Sequence, residues 1–162
     1  MSEITYVRGD ATVPLGKGVK VIAHVCNDIG GWGKGFVLAV SRRWPESEKA
    51  YRAWHRDRAH NDFGLGAAQF IQVERYVWVA NLVGQRGIHT GSKGVPVRYE
   101  AIDTALGRLA DKALELGGSV HMPRIGCGLA GGKWSRVEPL ITERLVRRGI
   151  AVTVYELGEG RS

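Results

Sequence analysis

Two glycine-rich segments have the composition of a phosphate-binding site. The first, NDIGGWGKGF, contains Gly30, Gly31, Gly33 and Gly35 and follows an apolar run that is typical of a buried strand. Glycine permits a tight turn and a close approach of a ligand, and the backbone N–H groups that open the following helix attract an anion. The spacing is neither that of a Walker A loop nor that of a dinucleotide fingerprint, which argues against an NTPase or a hydride-transfer enzyme. A purely structural turn is the alternative.

The second segment, RIGCGLAGGKW at residues 124 to 134, also lies between a predicted strand and a predicted helix. If the two strands are neighbours in the sheet, the two segments face each other and could hold both phosphates of a diphosphate. Asp10, in RGDAT, is placed either to accept a hydrogen bond from an exocyclic amine such as that of adenine or to cap the next turn. Tyr155, on the last predicted strand, could stack on a base, although an aromatic residue there is more often core.

Strands and helices alternate along the chain and predict an α/β fold. Apolar β-branched runs predict strands over residues 4–7, 19–25, 67–73, 76–82, 119–122 and 150–155, and helical periodicity predicts helices over residues 36–44, 46–58 and 102–116. Ser135 and Glu138 have the spacing of a capping box for a last helix, with Pro139 in its first turn and Gly149 at its end. Glycines mark residues 83–96 as a loop. The alternation favours a mainly parallel sheet that is covered on both faces, with ligands at the strand ends.

Length and composition limit the remaining possibilities. The 162 residues fit one domain, which we expect to span residues 1–162. No N-terminal apolar core follows a basic start, and no run approaches about 20 apolar residues, so we expect a cytoplasmic protein without a membrane partner. The formal net charge of +7 favours anionic partners, although arginines on solvated helix faces explain much of it.

Histidine and cysteine carry little of the expected chemistry. His24 and Cys26 share one face of a predicted strand, and His121 and Cys127 flank the second glycine segment, so a Cys–His nucleophile or a four-ligand metal site is an alternative to consider. None of these residues has zinc-ligand spacing, and buried histidines and cysteines are commonly core residues. We therefore expect reduced thiols, no metal and no cofactor.

Four phrases are distributed over the whole chain in an informative order: VRGDAT, VIAHVCNDIGGWGKGF, HMPRIGCGLAGGKW and VTVYEL. In these phrases the chain resembles the macrodomain family, and MPRIGCGL is similar to the subgroup that contains the human terminal ADP-ribose protein glycohydrolase, which releases ADP-ribose from glutamate and aspartate. The resemblance implies a three-layer α/β/α macrodomain with a mixed, mainly parallel central sheet. It implies ADP-ribose and mono-ADP-ribosylated proteins as partners, and a place in the DNA damage response. It also implies contacts with ADP-ribose at Asp10, Ala11, Asn27, Gly33, Lys34, Gly35, Phe36, Gly126, Cys127, Gly128, Leu129, Ala130 and Tyr155.

The chain departs from that subgroup at the catalytic residues. The related hydrolase uses a lysine that attacks the distal ribose and an aspartate directly after GCGL, whereas the matching positions here are Gly84 or Gln85 and Ala130. An ester of ADP-ribose with a carboxylate is already activated, so positioning the bond and a water could suffice.

We expect three polar residues to be nearest that water: Asn27, Asp28 and Gln85. Asp28 would be a general base if it points inward, and a cap of the backbone if it does not. The expected activity is metal-independent hydrolysis of mono-ADP-ribose from modified glutamate and aspartate. The alternatives are a non-catalytic ADP-ribose reader and a hydrolase of ADP-ribosylated nucleic acid.

Overall fold

A six-stranded sheet forms the centre of the fold. The computed structural model describes residues 3–88 and 94–157. Its strands are β1 (Thr5–Arg8), β2 (Lys20–Asn27), β3 (Ala68–Glu74), β4 (Val77–Gln85), β5 (Ser119–Met122) and β6 (Val152–Glu156). They lie in the order β1-β6-β5-β2-β4-β3, and all neighbours are parallel except β3 and β4. The predicted mixed, mainly parallel sheet is confirmed.

Four α-helices in the described part of the chain cover the two faces of this sheet. They are α1 (Phe36–Arg43), α2 (Pro45–Arg56), α3 (Tyr99–Leu116) and α4 (Trp134–Arg144). Short 3-10 turns occupy Arg58–His60, Gly128–Ala130 and Val146–Arg148. No helix in the described ranges is long and apolar enough to span a bilayer.

The side chains of β2 show why both faces are covered. Val21 and Ala23 belong to the core that α3 and α4 complete, whereas Ile22 belongs to the core that α1 and α2 complete. Successive side chains of a strand point to opposite faces, so a nearly continuous apolar strand needs a helical layer on each side. The predicted three-layer α/β/α arrangement is confirmed.

The beginning of α4 differs from the sequence-based expectation. The helix begins at Trp134, and its N-cap residue is Lys133, which makes no side-chain capping bond. The prediction of a capping box formed by Ser135 and Glu138 was therefore wrong. Pro139 lies inside the helix instead of in its first turn, and α4 ends at Arg144, before the 3-10 turn that leads to Gly149. Tertiary contacts of the preceding loop decide where the helix starts, because the Lys133 N–H donates to the Tyr99 hydroxyl oxygen at 3.0 Å.

The segment after β4 is more ordered than its glycine content predicts. Strand β4 continues to Gln85, which forms an antiparallel bridge with Val97, so the predicted loop over residues 83–96 was wrong at its start. Arg86 N–H donates to the Pro96 carbonyl oxygen at 2.8 Å, and Arg98 N–H donates to the Gly84 carbonyl oxygen at 2.9 Å. Ser92 and Lys93, which were part of that loop prediction, lie outside the described residues.

Candidate functional site

The two glycine segments face each other at one end of the sheet. Loop 1 (residues 28–35) follows β2, and loop 2 (residues 123–133) follows β5; these strands are parallel neighbours, as the facing arrangement requires. A methyl group built on Gly35 would lie 3.7 Å from Leu129 Cδ1, which is van der Waals contact. The loops therefore converge at their tips, where Gly33, Lys34, Gly35, Gly128 and Leu129 are exposed.

Loop 1 is shaped by the side chain of Asn27. Its Oδ1 accepts hydrogen bonds from the N–H groups of Ile29 at 3.0 Å and Gly31 at 2.9 Å, and its Nδ2 donates to the Gly31 carbonyl oxygen at 2.9 Å. The hydroxyl of buried Tyr51 lies 2.6 Å from the Asn27 carbonyl oxygen and 2.9 Å from Oδ1 and donates to them. Asn27 is thus committed to organising loop 1. Its predicted contact with the ligand stays a prediction.

Loop 2 needs glycine for close packing. Gly132 N–H donates to the Gly126 carbonyl oxygen at 2.8 Å, and a Cβ at Gly132 would lie 2.2 Å from that oxygen. A Cβ at Gly126, where φ is +76°, would lie 2.8 Å from Ile102 Cδ1. Ala130 is buried and its carbonyl oxygen accepts from Val97 N–H at 2.9 Å. Loop 2 is consequently a fixed turn. Its position depends on Ile102 of α3 and on Val97, which lies just before α3.

Asp10 lies in an exposed turn beyond β1. Its Oδ1 accepts from Thr12 N–H at 2.8 Å and from the Thr12 hydroxyl at 2.7 Å, so the capping role that the sequence allowed is present. Ala11 beside it is buried. The predicted contacts of Asp10 and Ala11 with a ligand stay predictions, and Asp10 Oδ2 is the oxygen that neither bond to Thr12 uses.

Tyr155 is almost completely buried. Only 4% of the residue is exposed, in agreement with the core alternative, and its predicted contact with a base stays a prediction. Its hydroxyl oxygen accepts from Leu15 N–H at 2.8 Å and lies 2.6 Å from His121 Nδ1. Tyr155 is a core residue whose polar end holds the segment that contains Asp10.

The three predicted catalytic residues lie together beside loop 1. Asn27 and Gln85 are partners on neighbouring strands β2 and β4. Asp28 Oδ1 accepts from Gly87 N–H at 2.8 Å, and Gln85 Nε2 donates to the Gly87 carbonyl oxygen at 2.9 Å. Asp28 therefore caps the backbone through Oδ1, and its role as a general base through the other carboxylate oxygen stays a prediction. A water near these three side chains stays a prediction.

The positions that would carry a catalytic lysine and aspartate hold other residues. A Cβ on Gly84 would lie 2.7 Å from Ile102 Cγ1 and 3.3 Å from Val25 Cγ1, so a side chain does not fit there without a shift. Gln85, the other matching position, has a half-buried side chain that bonds the Gly87 carbonyl oxygen, and Ala130 is 4% exposed. Neither Gly84 nor Gln85 supplies a lysine nucleophile, and Ala130 supplies no carboxylate.

The thiols are not activated. Burial lowers the pKa of His24 to about 4 and raises the pKa of the Cys26 thiol, so the pair, 3.9 Å apart, is neutral. Burial also raises the pKa of the half-buried Cys127 thiol. Within residues 3–88 and 94–157, no group of three His, Cys, Asp or Glu residues could hold a metal ion.

Two surface depressions are lined by other residues. One of about 480 Å³ is at the start of α3, between Leu65, Tyr99 and Arg136. The other, of about 360 Å³, is at the opposite end of the sheet, near Lys17 and Gly149. Neither contains the predicted site residues, so the glycine loops are the best-supported site on chemical grounds.

Comparison with known proteins decides the family. No family model matches the chain. The solved structure of a macrodomain protein from Streptomyces coelicolor is 74% identical in sequence, with a TM-score of 0.87, over 96% of this chain and 100% of that one. The chain belongs to the macrodomain family.

The chain is also similar to three proteins that have other names. An ADP-ribose 1''-phosphate phosphatase of Lodderomyces elongisporus is 24% identical over 85% of the macrodomain and 90% of its own length. Chromodomain-helicase-DNA-binding protein 1-like of Danio rerio is 30% identical over 98% of the macrodomain, which spans about one sixth (16%) of that longer protein. The structure of Thermosipho africanus DarTG in complex with ADP-ribose, at 19% identity and a TM-score of 0.78 over 100% of this chain and 43% of that one, shows the same fold.

Sequence reasoning missed the side chains that support the loops. Tyr51 lies 24 positions from Asn27, and Tyr155 lies 140 positions from Leu15. No local spacing signals either contact. The packing of α2 on the sheet brings the Tyr51 hydroxyl to loop 1, and the pairing of β1 with β6 brings the Tyr155 hydroxyl to the segment that contains Asp10.

Proposed function

We propose that this macrodomain binds ADP-ribose, with the diphosphate between loop 1 and loop 2, and hydrolyses the bond that joins the distal ribose to a protein glutamate or aspartate. The observation that carries the proposal is the convergence of the loops, since a Cβ built on Gly35 would lie 3.7 Å from Leu129 Cδ1. Backbone N–H groups at the start of a helix suit the negative charge of phosphates. Exposed glycines at the tips permit their close approach.

The two ends of the ligand have different surroundings. Asp10, exposed in its turn, would accept a hydrogen bond from the adenine amine through Oδ2. Asn27, Asp28 and Gln85 lie at the side of loop 1 that the distal ribose would reach. Names of relatives support this ligand, since one is an ADP-ribose 1''-phosphate phosphatase and one structure contains ADP-ribose.

Hydrolysis in this site would use water directly. Asp28 would accept a proton from the water through the carboxylate oxygen that Gly87 N–H does not occupy. The water oxygen would bond to the anomeric carbon or to the carboxyl carbon as the ester C–O bond at that carbon breaks, and Asp28 would return the proton to the leaving oxygen, so that the products are ADP-ribose and the free carboxylic acid. Loop 1 would hold the ester in place, and its N–H groups would stabilise developing negative charge. Turnover in isotopically labelled water, with mass analysis of both products, identifies the carbon that is attacked.

A reader module is the second candidate, and the residues at positions 84 and 85 favour it. Because neither Gly84 nor Gln85 is a lysine, these positions lack the covalent nucleophile of the related hydrolase. A hydrolase of ADP-ribosylated nucleic acid is a third candidate, supported by the net charge of +7.

One assay separates these functions. The protein is incubated with a glutamate-modified protein and with ADP-ribosylated DNA, each carrying labelled ADP-ribose, and calorimetry measures binding of free ADP-ribose. We expect binding, and release from the protein substrate. Binding without release would show a reader, and release from DNA alone would show the nucleic-acid hydrolase.

Two variants assign the site. Asp10→Ala should weaken ADP-ribose binding by about tenfold, since it removes a charged acceptor. Gly128→Val should abolish turnover, because φ at Gly128 is +57° and a β-branched residue there is strained and bulky. Unchanged affinity in the first variant would remove the adenine assignment, and full activity in the second would exclude loop 2 from the diphosphate site.

A further inference from the structure

A buried chain of hydrogen bonds runs from the segment containing Asp10 through the sheet. Leu15 N–H donates to the Tyr155 hydroxyl oxygen at 2.8 Å, which leaves the Tyr155 hydrogen to be donated to His121 Nδ1 at 2.6 Å. Nδ1 is therefore the acceptor of a neutral ring, and the ring proton is on Nε2. Nε2 donates to Ser119 Oγ at 2.7 Å, and that hydroxyl in turn donates to the Val19 carbonyl oxygen at 3.4 Å.

The direction of every bond in this chain is determined by its two ends. A backbone N–H can only donate and a backbone carbonyl can only accept, so the two hydroxyls and the imidazole between them have one consistent arrangement. Burial, with a smaller effect of the Lys20 charge, lowers the pKa of His121 to about 4, which keeps the ring neutral. The Tyr155 oxygen is thus held in one position by a neutral His121.

The segment that this oxygen holds is joined to β6 by a hydrogen bond at each end. We define the adenosine segment as residues 9–15. Gly9 N–H donates to the Glu156 carbonyl oxygen at 2.8 Å at one end, and the bond from Leu15 to Tyr155 is at the other end. Ala11 and Thr12 in the middle of the segment are buried, whereas Val13 and Leu15, next to the second attachment, are largely exposed. Between the two attachments, Asp10 is bonded to Thr12 within the segment itself.

We infer that Tyr155, oriented by His121, is a positioning residue that fixes the adenosine segment and so places Asp10 for the adenine end of the ligand. The inference rests on the proposed function. It assigns Tyr155 a role through its hydroxyl group, beneath the binding surface, instead of a stacking role on it. Loss of the hydroxyl would leave Leu15 N–H without its acceptor and let the segment open locally.

A double-mutant cycle tests this inference. ADP-ribose affinity is measured by calorimetry for the wild type, Tyr155→Phe, Asp10→Ala and the double variant. We expect Tyr155→Phe to weaken binding about tenfold, and the double variant to bind no more than about twofold more weakly than Asp10→Ala. Additive losses, or no loss from Tyr155→Phe, would overturn the inference.

Tyr51 provides the matched control. Tyr51→Phe also removes a buried hydroxyl, but that hydroxyl bonds Asn27 of loop 1. Its cycle with Asp10→Ala should be additive, because the two residues act on separate parts of the ligand. Non-additivity in both cycles would mean that loss of any buried hydroxyl loosens the fold, and would refute a specific role for Tyr155.

Hydrogen exchange of the wild type gives a second measurement that needs no variant. The Leu15 amide should exchange slowly despite the exposed side chain, and ADP-ribose should slow it further. Rapid exchange of that amide in the bound state would overturn the inference. A wild type that fails to bind ADP-ribose would instead refute the proposed function itself, so the two failures are distinguishable.

Discussion

Two buried histidines should make the free energy of unfolding fall as the pH drops below about 6.5. His24 is 2% exposed and its Nε2 lies 2.5 Å from Asn81 Oδ1, and His121 is 3% exposed. Burial lowers the pKa of each to about 4 in the folded protein. In the unfolded chain both would have the ordinary value of about 6.5.

The magnitude follows from this difference. Above about pH 6.5 both rings are neutral in both states, and their contribution to stability is fully present. As the pH falls, the unfolded chain takes up two protons that the folded protein does not, and the loss ends near the folded pKa of about 4. Each proton lowers the free energy of unfolding by about 1.4 kcal/mol per pH unit. Lowering the pH from about 6.5 to about 5 therefore removes roughly 4 kcal/mol, a large part of the 5 to 15 kcal/mol that is typical of a folded domain.

Urea unfolding at about pH 7, 6 and 5 measures this loss. The variant His121→Gln, which removes one titrating group and keeps hydrogen-bonding atoms, should show about half the wild-type slope. The Asp103 carboxyl, whose pKa the Arg144 guanidinium lowers, affects stability only at lower pH. An unfolding free energy that stays constant between pH 7 and 5 would refute the reasoning, since it would mean that the rings are not buried in the neutral form.

Two further predictions concern the loops and the thiols. Gly132→Ala should weaken ADP-ribose binding at least about tenfold, because its Cβ would lie 2.2 Å from the Gly126 carbonyl oxygen and would displace loop 2. The control Gly107→Ala, in α3 with no atom within 4 Å of the new Cβ, should raise the free energy of unfolding by about 0.5–1 kcal/mol in thermal unfolding. Normal ADP-ribose binding by Gly132→Ala would contradict a role of loop 2 in holding the diphosphate. Turnover should survive chelators and thiol alkylation, since Cys26 is buried and burial raises the pKa of both Cys26 and Cys127, and activity lost to either reagent would restore metal or cysteine chemistry.

Local composition was enough to predict the layers and the two loops. The run from Val19 to Val25 is apolar on both faces of a strand, and such a strand is stable only between two helical layers. Glycines after β2 and before α4 indicate turns with unusual backbone angles, and the positive φ at Gly30, Gly35 and Gly126 agrees with this. These signals act over a few residues, so a single sequence contains them.

The order of the strands, and everything that depends on it, was decided by tertiary structure. Loop 1 and loop 2 face each other because β2 and β5 are neighbours, although more than 90 residues separate them in the chain. Tyr155 became a support beneath the adenosine segment, and α4 began without a capping box, because distant groups satisfied hydrogen bonds that local residues were expected to satisfy. A hydrogen bond between groups far apart in sequence leaves no periodic signal. Its partners are known only once the sheet has brought them together.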